Sequence, residues 1–252
     1  MVSKSFSISS NEDIRHLQGA LASLVFDSNG DDLTDFLAQE WLPGSGDVST
    51  KILLYQQSKR GKSLKNSDAL KGVKAITPTV KAGDMNNDGI NDLIIYDLGT
   101  ILGDDQGYTG IEPIIFSGRK NKKPIKSDIL SEAYLTYAPS DSWQVGGRVS
   151  AKDFALADID NDGDLDIWVE STGGMNLTNH FLINNGSYFS VDKGRMPLKD
   201  IQGENVSDFN RYWGAHFEDL DGDGSKDLIL GQSRTDDITH INGTSVILQN
   251  DR

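Results

Sequence analysis

Cysteine is absent from this 252-residue chain, which excludes disulfide scaffolds, thiolate zinc sites and cysteine nucleophiles. Long apolar runs are missing too. Stretches such as Leu93-Ile94-Ile95-Tyr96 fall far short of the roughly 20 residues a membrane-spanning helix needs, so no membrane insertion is expected. The N-terminus, MVSKSFSISSNEDIRHL, has no apolar core of the kind a secretory signal requires. Either the chain is cytoplasmic, or it leaves by a route that reads no N-terminal signal, or the sequence is a piece of something longer. Bases are outnumbered, 24 against 38 acids, for a net charge of -14. That balance repels nucleic acid and anionic membrane as main partners.

What is present in quantity is aspartate, and it is organised. One acidic nonapeptide occurs four times: DSNGDDLTD from Asp27, DMNNDGIND from Asp84, DIDNDGDLD from Asp158 and DLDGDGSKD from Asp219. The common form is D-x-D/N-x-D-G/D-x-x-D. Upstream of the later copies, apolar residues sit two and four places before the first Asp, as in Phe154 and Leu156 or Ala215 and Phe217. That period-2 alternation reads as a strand. Downstream, the last Asp leads into a β-rich apolar run: Phe36-Leu37-Ala38, Leu93-Ile94-Ile95, Ile167-Trp168-Val169 and Leu228-Ile229-Leu230. Each copy is therefore the turn of a hairpin. Further strands with polar turns follow, in ILLYQQSKRGKSL, PIIFSGRKNKKPI, HFLINNGSYFSV and SVILQNDR.

A repeat of about 60 residues holds four strands of ordinary length. Such units arranged around an axis are the blades of a β-propeller. The expectation is an all-β protein, one propeller-type domain over 1–252, with about four blade-like four-stranded repeats. They run approximately over 17–75, 76–149, 150–210 and 211–252. Residues 1–16, with Ser5-Phe6-Ser7-Ile8, either close the last blade, or the chain is a fragment of a larger ring.

Oxygen ligands at alternate positions of a tight loop suit a hard cation, and calcium takes about six to eight of them. Side chains at positions 1, 3, 5 and 9 and the carbonyl at 7 would supply them. In the first loop these are Asp27, Asn29, Asp31, Asp35 and the Leu33 carbonyl. The second uses Asp84, Asn86, Asp88, Asp92 and Ile90. The third uses Asp158, Asp160, Asp162, Asp166 and Asp164. The fourth uses Asp219, Asp221, Asp223, Asp227 and Ser225. Gly89, Gly163 and Gly224 take the sharp turn at position 6, where the first loop has Asp32; Asp tolerates a left-handed backbone better than most residues. About four Ca²⁺ are expected, with a stabilising role. Extracellular modules bind calcium at roughly 10⁻⁴–10⁻³ M, so such sites would be empty in cytosol. That favours an extracellular or cell-surface setting.

The loop between two strands resembles the calcium loop of FG-GAP and VCBS-type propeller repeats, including those of integrin α-subunits. The Phe-Gly and Gly-Ala-Pro signatures are missing, so the bacterial VCBS type is the closer likeness. The resemblance covers nearly the whole chain and implies adhesion or carbohydrate binding outside the cell.

Other signals are weaker. Position 12 is Ala38, Ile95, Val169 or Leu230, where an EF-hand needs a bidentate Glu. The run Lys120 to Lys126 reads as a solvated turn between strands, with an anion patch as the alternative. His216 is expected to face away from Phe217. Trp143, in the longest segment between loops (YLTYAPSDSWQVGG), and the pair Tyr212-Trp213 are candidate ligand-stacking aromatics. The extra length there is expected to form a surface loop. The leading function is a non-catalytic, calcium-stabilised module for adhesion or for recognising a glycan or cell-surface protein. The rivals are a calcium-dependent polysaccharide lyase or hydrolase, or its non-catalytic propeller portion, and a structural spacer.

Overall fold

The computed structural model describes residues 20–41, 50–57, 64–76, 78–97, 112–137, 151–171, 179–192, 212–232, 246–248 and 250. The expected closing strand within 1–16 and the aromatic Trp143 lie outside them.

The described residues form four separate antiparallel sheets, taken in chain order. Sheet one holds β1 (Ala20–Phe26), β2 (Asp35–Trp41), β3 (Thr50–Gln57) and β4 (Leu64–Ser67), with the short β5 (Lys74–Ala75) also on β3. Sheet two holds β6 (Pro78–Gly83), β7 (Asp92–Asp97), β8 (Ile114–Arg119) and β9 (Lys122–Ser127). Sheet three holds β10 (Ala151–Ala157), β11 (Asp166–Ser171), β12 (His180–Asn184) and β13 (Phe189–Asp192). Sheet four holds β14 (Tyr212–Glu218), β15 (Asp227–Gln232) and β16 (Val246–Leu248). In each, the strand order follows the chain. The acidic nonapeptide joins the first strand to the second, as the flanking alternation predicts.

In sheets two and three the apolar runs are continuous because the second strands, β7 and β11, are buried on both faces. On β7, Leu93 and Ile95 pack with Leu37, Ile52 and Leu54 of sheet one, while Ile94 and Tyr96 pack with Phe154, Ile167 and Leu182 of sheet three. On β11, Ile167 and Val169 face sheet two, while Trp168 packs with Phe217, Leu228 and Leu230 of sheet four. Three cores thus lie between successive sheets. Burying a side chain of this size contributes about 1.5–3 kcal/mol, so each inter-sheet core is a principal source of stability.

First strands are sheet edges, and they are blunted. β1, β10 and β14 carry register shifts, and β6 begins with Pro78; both devices discourage edge pairing.

The fold is all-β, as expected, with one α-helix among the described residues. α1 (Ile129–Tyr137) follows β9, where a surface loop was expected to begin. Leu130, Ala133 and Tyr134 recur at helical spacing and are buried in the core between sheets two and three. Tyr134 donates or accepts at 3.1 Å with the Tyr96 hydroxyl and at 2.8 Å with His180 Nε2. All three are fully buried, so the chain Tyr96–Tyr134–His180 satisfies its own polar atoms inside the core.

Candidate metal centres

Each nonapeptide folds around the same backbone path. Positions 4 and 6 are left-handed in all four loops: Gly30 and Asp32, Asn87 and Gly89, Asn161 and Gly163, Gly222 and Gly224. Asp32 takes φ 64°, so the first loop keeps the turn without glycine. The first Asp then accepts from the N–H of position 6. The distances are 2.8 Å in loops one and two and 3.0 Å in loops three and four. The fifth residue accepts from the N–H of position 7 at 3.0, 2.9, 2.9 and 2.7 Å.

The ninth Asp differs from the rest. Asp35, Asp92, Asp166 and Asp227 are at most 1% exposed. Each carboxylate accepts one N–H from position 2 of its own loop and one from the end of the third strand, or just beyond it. For Asp92 these are Met85 at 3.0 Å and Gly118 at 2.8 Å. For Asp166 they are Ile159 at 2.9 Å and Asn184 at 2.8 Å. Asp35 takes Ser28 at 3.1 Å and Gln57 at 2.8 Å, and Asp227 takes Leu220 and Asn250, both at 3.0 Å. This residue ties the loop to its sheet. A Cβ on Gly118 would come within 2.4 Å of the Asn91 carbonyl, so glycine there allows β8 to reach the loop.

Burial pushes Asp92 up to about 6, with the Asp88 and Asp84 carboxylates adding to the push against the Gly118 and Met85 N–H groups. Burial likewise pushes Asp166 to about 6, reinforced by Asp160 and Asp162 and opposed by Asn184 and Ile159. Asp35 is raised in the same direction, again chiefly by burial. These carboxyl groups are costly to ionise beside their neighbours unless a cation joins them.

The loops stand side by side. Asn87 Nδ2 donates to the Gly163 carbonyl and to Asp164 Oδ1, both at 2.7 Å. Asn91 Nδ2 reaches the Asp27 carbonyl at 3.3 Å. Asn184 and Asn250 each send their side-chain amide to position 2 of the preceding loop, the Met85 carbonyl at 2.7 Å and the Ile159 carbonyl at 3.2 Å.

Two trios of carboxylates could hold a metal ion. Oxygens of Asp158, Asp160 and Asp166 lie within 4.8 Å of one another, and so do those of Asp219, Asp221 and Asp223. Oxygens that close can share one ion at about 2.3–2.6 Å. In loop one, the buried Oδ1 of Asn29 has no hydrogen-bond partner among the described residues. A cation there would satisfy it. The donor set, oxygen only, fits calcium; the side chains that would hold it are those at positions 1, 3, 5 and 9, of which 1, 3 and 9 converge in loop three and 1, 3 and 5 in loop four.

A second acidic group was not foreseen from the sequence. Glu170 is fully buried, and its Oε2 accepts from Gly214 N–H at 2.9 Å across to sheet four. Its Oε1 has no partner among the described residues. The cross-strand neighbour Asp153 pairs with Lys81 at 2.9 Å. Burial pushes Glu170 to about 7, Asp153 adding to the push and Gly214, Lys152 and Lys81 opposing it. With its folded pKa above the unfolded value, its contribution to stability is full below about pH 4 and lost as pH rises through 7. Glu170→Gln, neutral at all pH, is therefore expected to raise stability at pH 8 by about 3 kcal/mol and to change little at pH 4. Urea unfolding at the two pH values reads this directly; equal effects at both would contradict it.

Of the proposed ligand-stacking aromatics, Tyr212 and Trp213 open β14 and Trp143 is outside the described residues. His216 is exposed, as expected, and lies 3.8 Å from Glu218.

No family model matches the chain, and no curated protein matches it. Among solved structures, the chain is similar to an Agrocybe aegerita lectin that recognises non-reducing terminal N-acetylglucosamine. The identity is 15% and the TM-score 0.47, with 84% of this chain and 47% of the lectin chain covered. The chain thus spans about half the length of that lectin.

Proposed function

We propose that this protein is a calcium-stabilised binding module of propeller type that works outside the cell and recognises a glycan, without chemistry of its own. The observation that carries the calcium reading is the loop geometry: two left-handed residues and a buried ninth Asp in all four loops, set side by side on successive sheets, with carboxylate oxygens converging in loops three and four. Sheets stacked in chain order, each sharing a core with the next, support the propeller reading. Calcium, when bound, supplies positive charge to carboxylates that otherwise repel one another. The chain's own residues fix the loops through the ninth Asp and the inter-loop asparagines. The loops' resemblance to FG-GAP and VCBS repeats, which implies adhesion or carbohydrate binding, supports the glycan reading.

The test is a glycan array probed in 2 mM calcium and again in excess chelator, with released sugar measured alongside. The expected result is calcium-dependent capture and no release of reducing or unsaturated sugar. Capture indifferent to chelator, or release of sugar, would overturn the reading.

A further inference from the structure

Half of the basic residues of this acidic chain fall in two segments. Segments 51–76 and 112–128 hold twelve of the 24 basic residues and only three of the 38 acidic ones, Asp68, Glu112 and Asp128. The fold brings the described parts of these segments, 51–57, 64–76 and 112–128, together; they carry nine of those twelve basic residues. Lys123 Nζ meets Asp68 at 2.8 Å, and β9 packs on the short 3-10 turn Asp68–Leu70. Between them opens a cleft of about 650 Å³, with Lys71, Lys74 and Lys126 on its walls and Glu112 beside them. A second cleft, of about 340 Å³, lies across the ridge formed by 71–74 and adds Lys51. Lys126 pairs with Asp128 at 2.8 Å and Lys51 with Glu40 at 3.6 Å. Lys71 and Lys74 have no ion pair among the described residues. Apolar side chains, Val73, Ile114 and Phe116, complete the larger cleft.

From this geometry we infer that the cleft between sheets one and two binds an anionic polysaccharide, one bearing uronate or sulfate groups. The inference rests on the glycan reading above and names its ligand class and site. Lysines spaced around a partly apolar cleft suit sugar rings that each present one hydrated anion and one apolar face. Duplex nucleic acid is a poorer fit. It carries one charge per about 1.7 Å along a rigid rod, and the segments outside the patch hold 35 of the 38 acids, among them exposed acids of the nonapeptide loops.

The test measures binding of an oligoglucuronate, a sulfated dextran oligomer and a neutral dextran oligomer of equal length, in calcium, with duplex DNA and anionic lipid vesicles as further arms. The wild type is expected to bind at least one anionic oligomer and not the neutral one, and to weaken as salt rises. Which of the two binds identifies the charged group. The double variant Lys71→Gln/Lys74→Gln is expected to lose about tenfold in affinity, about 1.4 kcal/mol, with an unchanged melting temperature. Equal binding of the neutral oligomer, no effect of the double variant, or equal capture of DNA or vesicles would overturn the inference. Should an array find only neutral glycans, this inference fails while the glycan reading stands; should no glycan of any charge bind, both fail.

Discussion

Asp166→Ala is expected to destabilise the calcium-free protein by about 3–5 kcal/mol, the range for removing one partner from a buried charged hydrogen-bonded group. The residue is fully buried, and its two oxygens hold Ile159 N–H and Asn184 N–H. Alanine strands both donors and loosens the tie between loop three and β12. Position 5 of the same loop is the contrast. Asp162 is exposed and, among the described residues, accepts the Asp164 N–H at 2.9 Å, so Asp162→Ala is expected to cost under about 1 kcal/mol without metal. Chemical unfolding in chelator separates the two. Similar losses for both would mean that the ninth Asp is not the tie the geometry indicates. Since Asp166 lies with its pKa near 6, part of the cost of ionising it disappears with the variant at pH 8. The contrast is therefore expected to be larger at pH 5 than at pH 8.

Removing calcium is the other large effect. At ten times the dissociation constant each bound ion contributes about 1.4 kcal/mol, and four contribute about 6. For a domain of this size that is a fall of roughly 10–20 °C in melting temperature on adding chelator. The pH dependence has a definite sign. Calcium needs ionised carboxylates, and Asp92 and Asp166 are held at about 6 by burial and by neighbouring acids. The calcium-dependent part of the melting temperature is expected to shrink as pH falls through 6. Metal-free protein runs the opposite way, because raised carboxyl groups favour the folded state at low pH and cost stability as pH rises. Magnesium, which demands a tighter octahedral site and dehydrates reluctantly, is expected to substitute poorly. Melting curves at pH 5, 6, 7 and 8, with calcium and with chelator, contain all of these comparisons.

The hairpin core of each repeat was legible because two periodicities meet at the nonapeptide. Alternation before it gives a strand with one buried face; the unbroken apolar run after it gives a strand buried on both, as β7 and β11 are. The turn was only half legible. Glycine at position 6 announced itself, but position 4 did too, as Gly30, Asn87, Asn161 and Gly222, the residue types that tolerate a left-handed backbone. The ninth Asp was legible as a ligand position but not as a structural tie. Its tie to the third strand depends on which backbone N–H groups lie across the sheet, such as Gly118 or Asn184, and a linear pattern does not carry that. Helix α1 had a signal, in Leu130, Ala133 and Tyr134 after Ser127-Asp128, hidden by a segment otherwise full of turn residues. Glu170 had none, since its burial arises only when β14 packs against β10. The basic run at 120–126 read as a solvated turn because its partner segment, 64–76, lies far away in sequence and meets it only in the fold.

On the reading proposed above, the four loops are calcium sites. Native mass spectrometry of the chelator-treated protein, titrated with calcium, tests it most directly when paired with Asp84→Asn, Asp158→Asn and Asp219→Asn. Three or four ions are expected on the parent protein and one fewer on each variant. No bound ion, or a count that the variants leave unchanged, would contradict that reading and leave the nonapeptides as acidic turns held by their own hydrogen bonds.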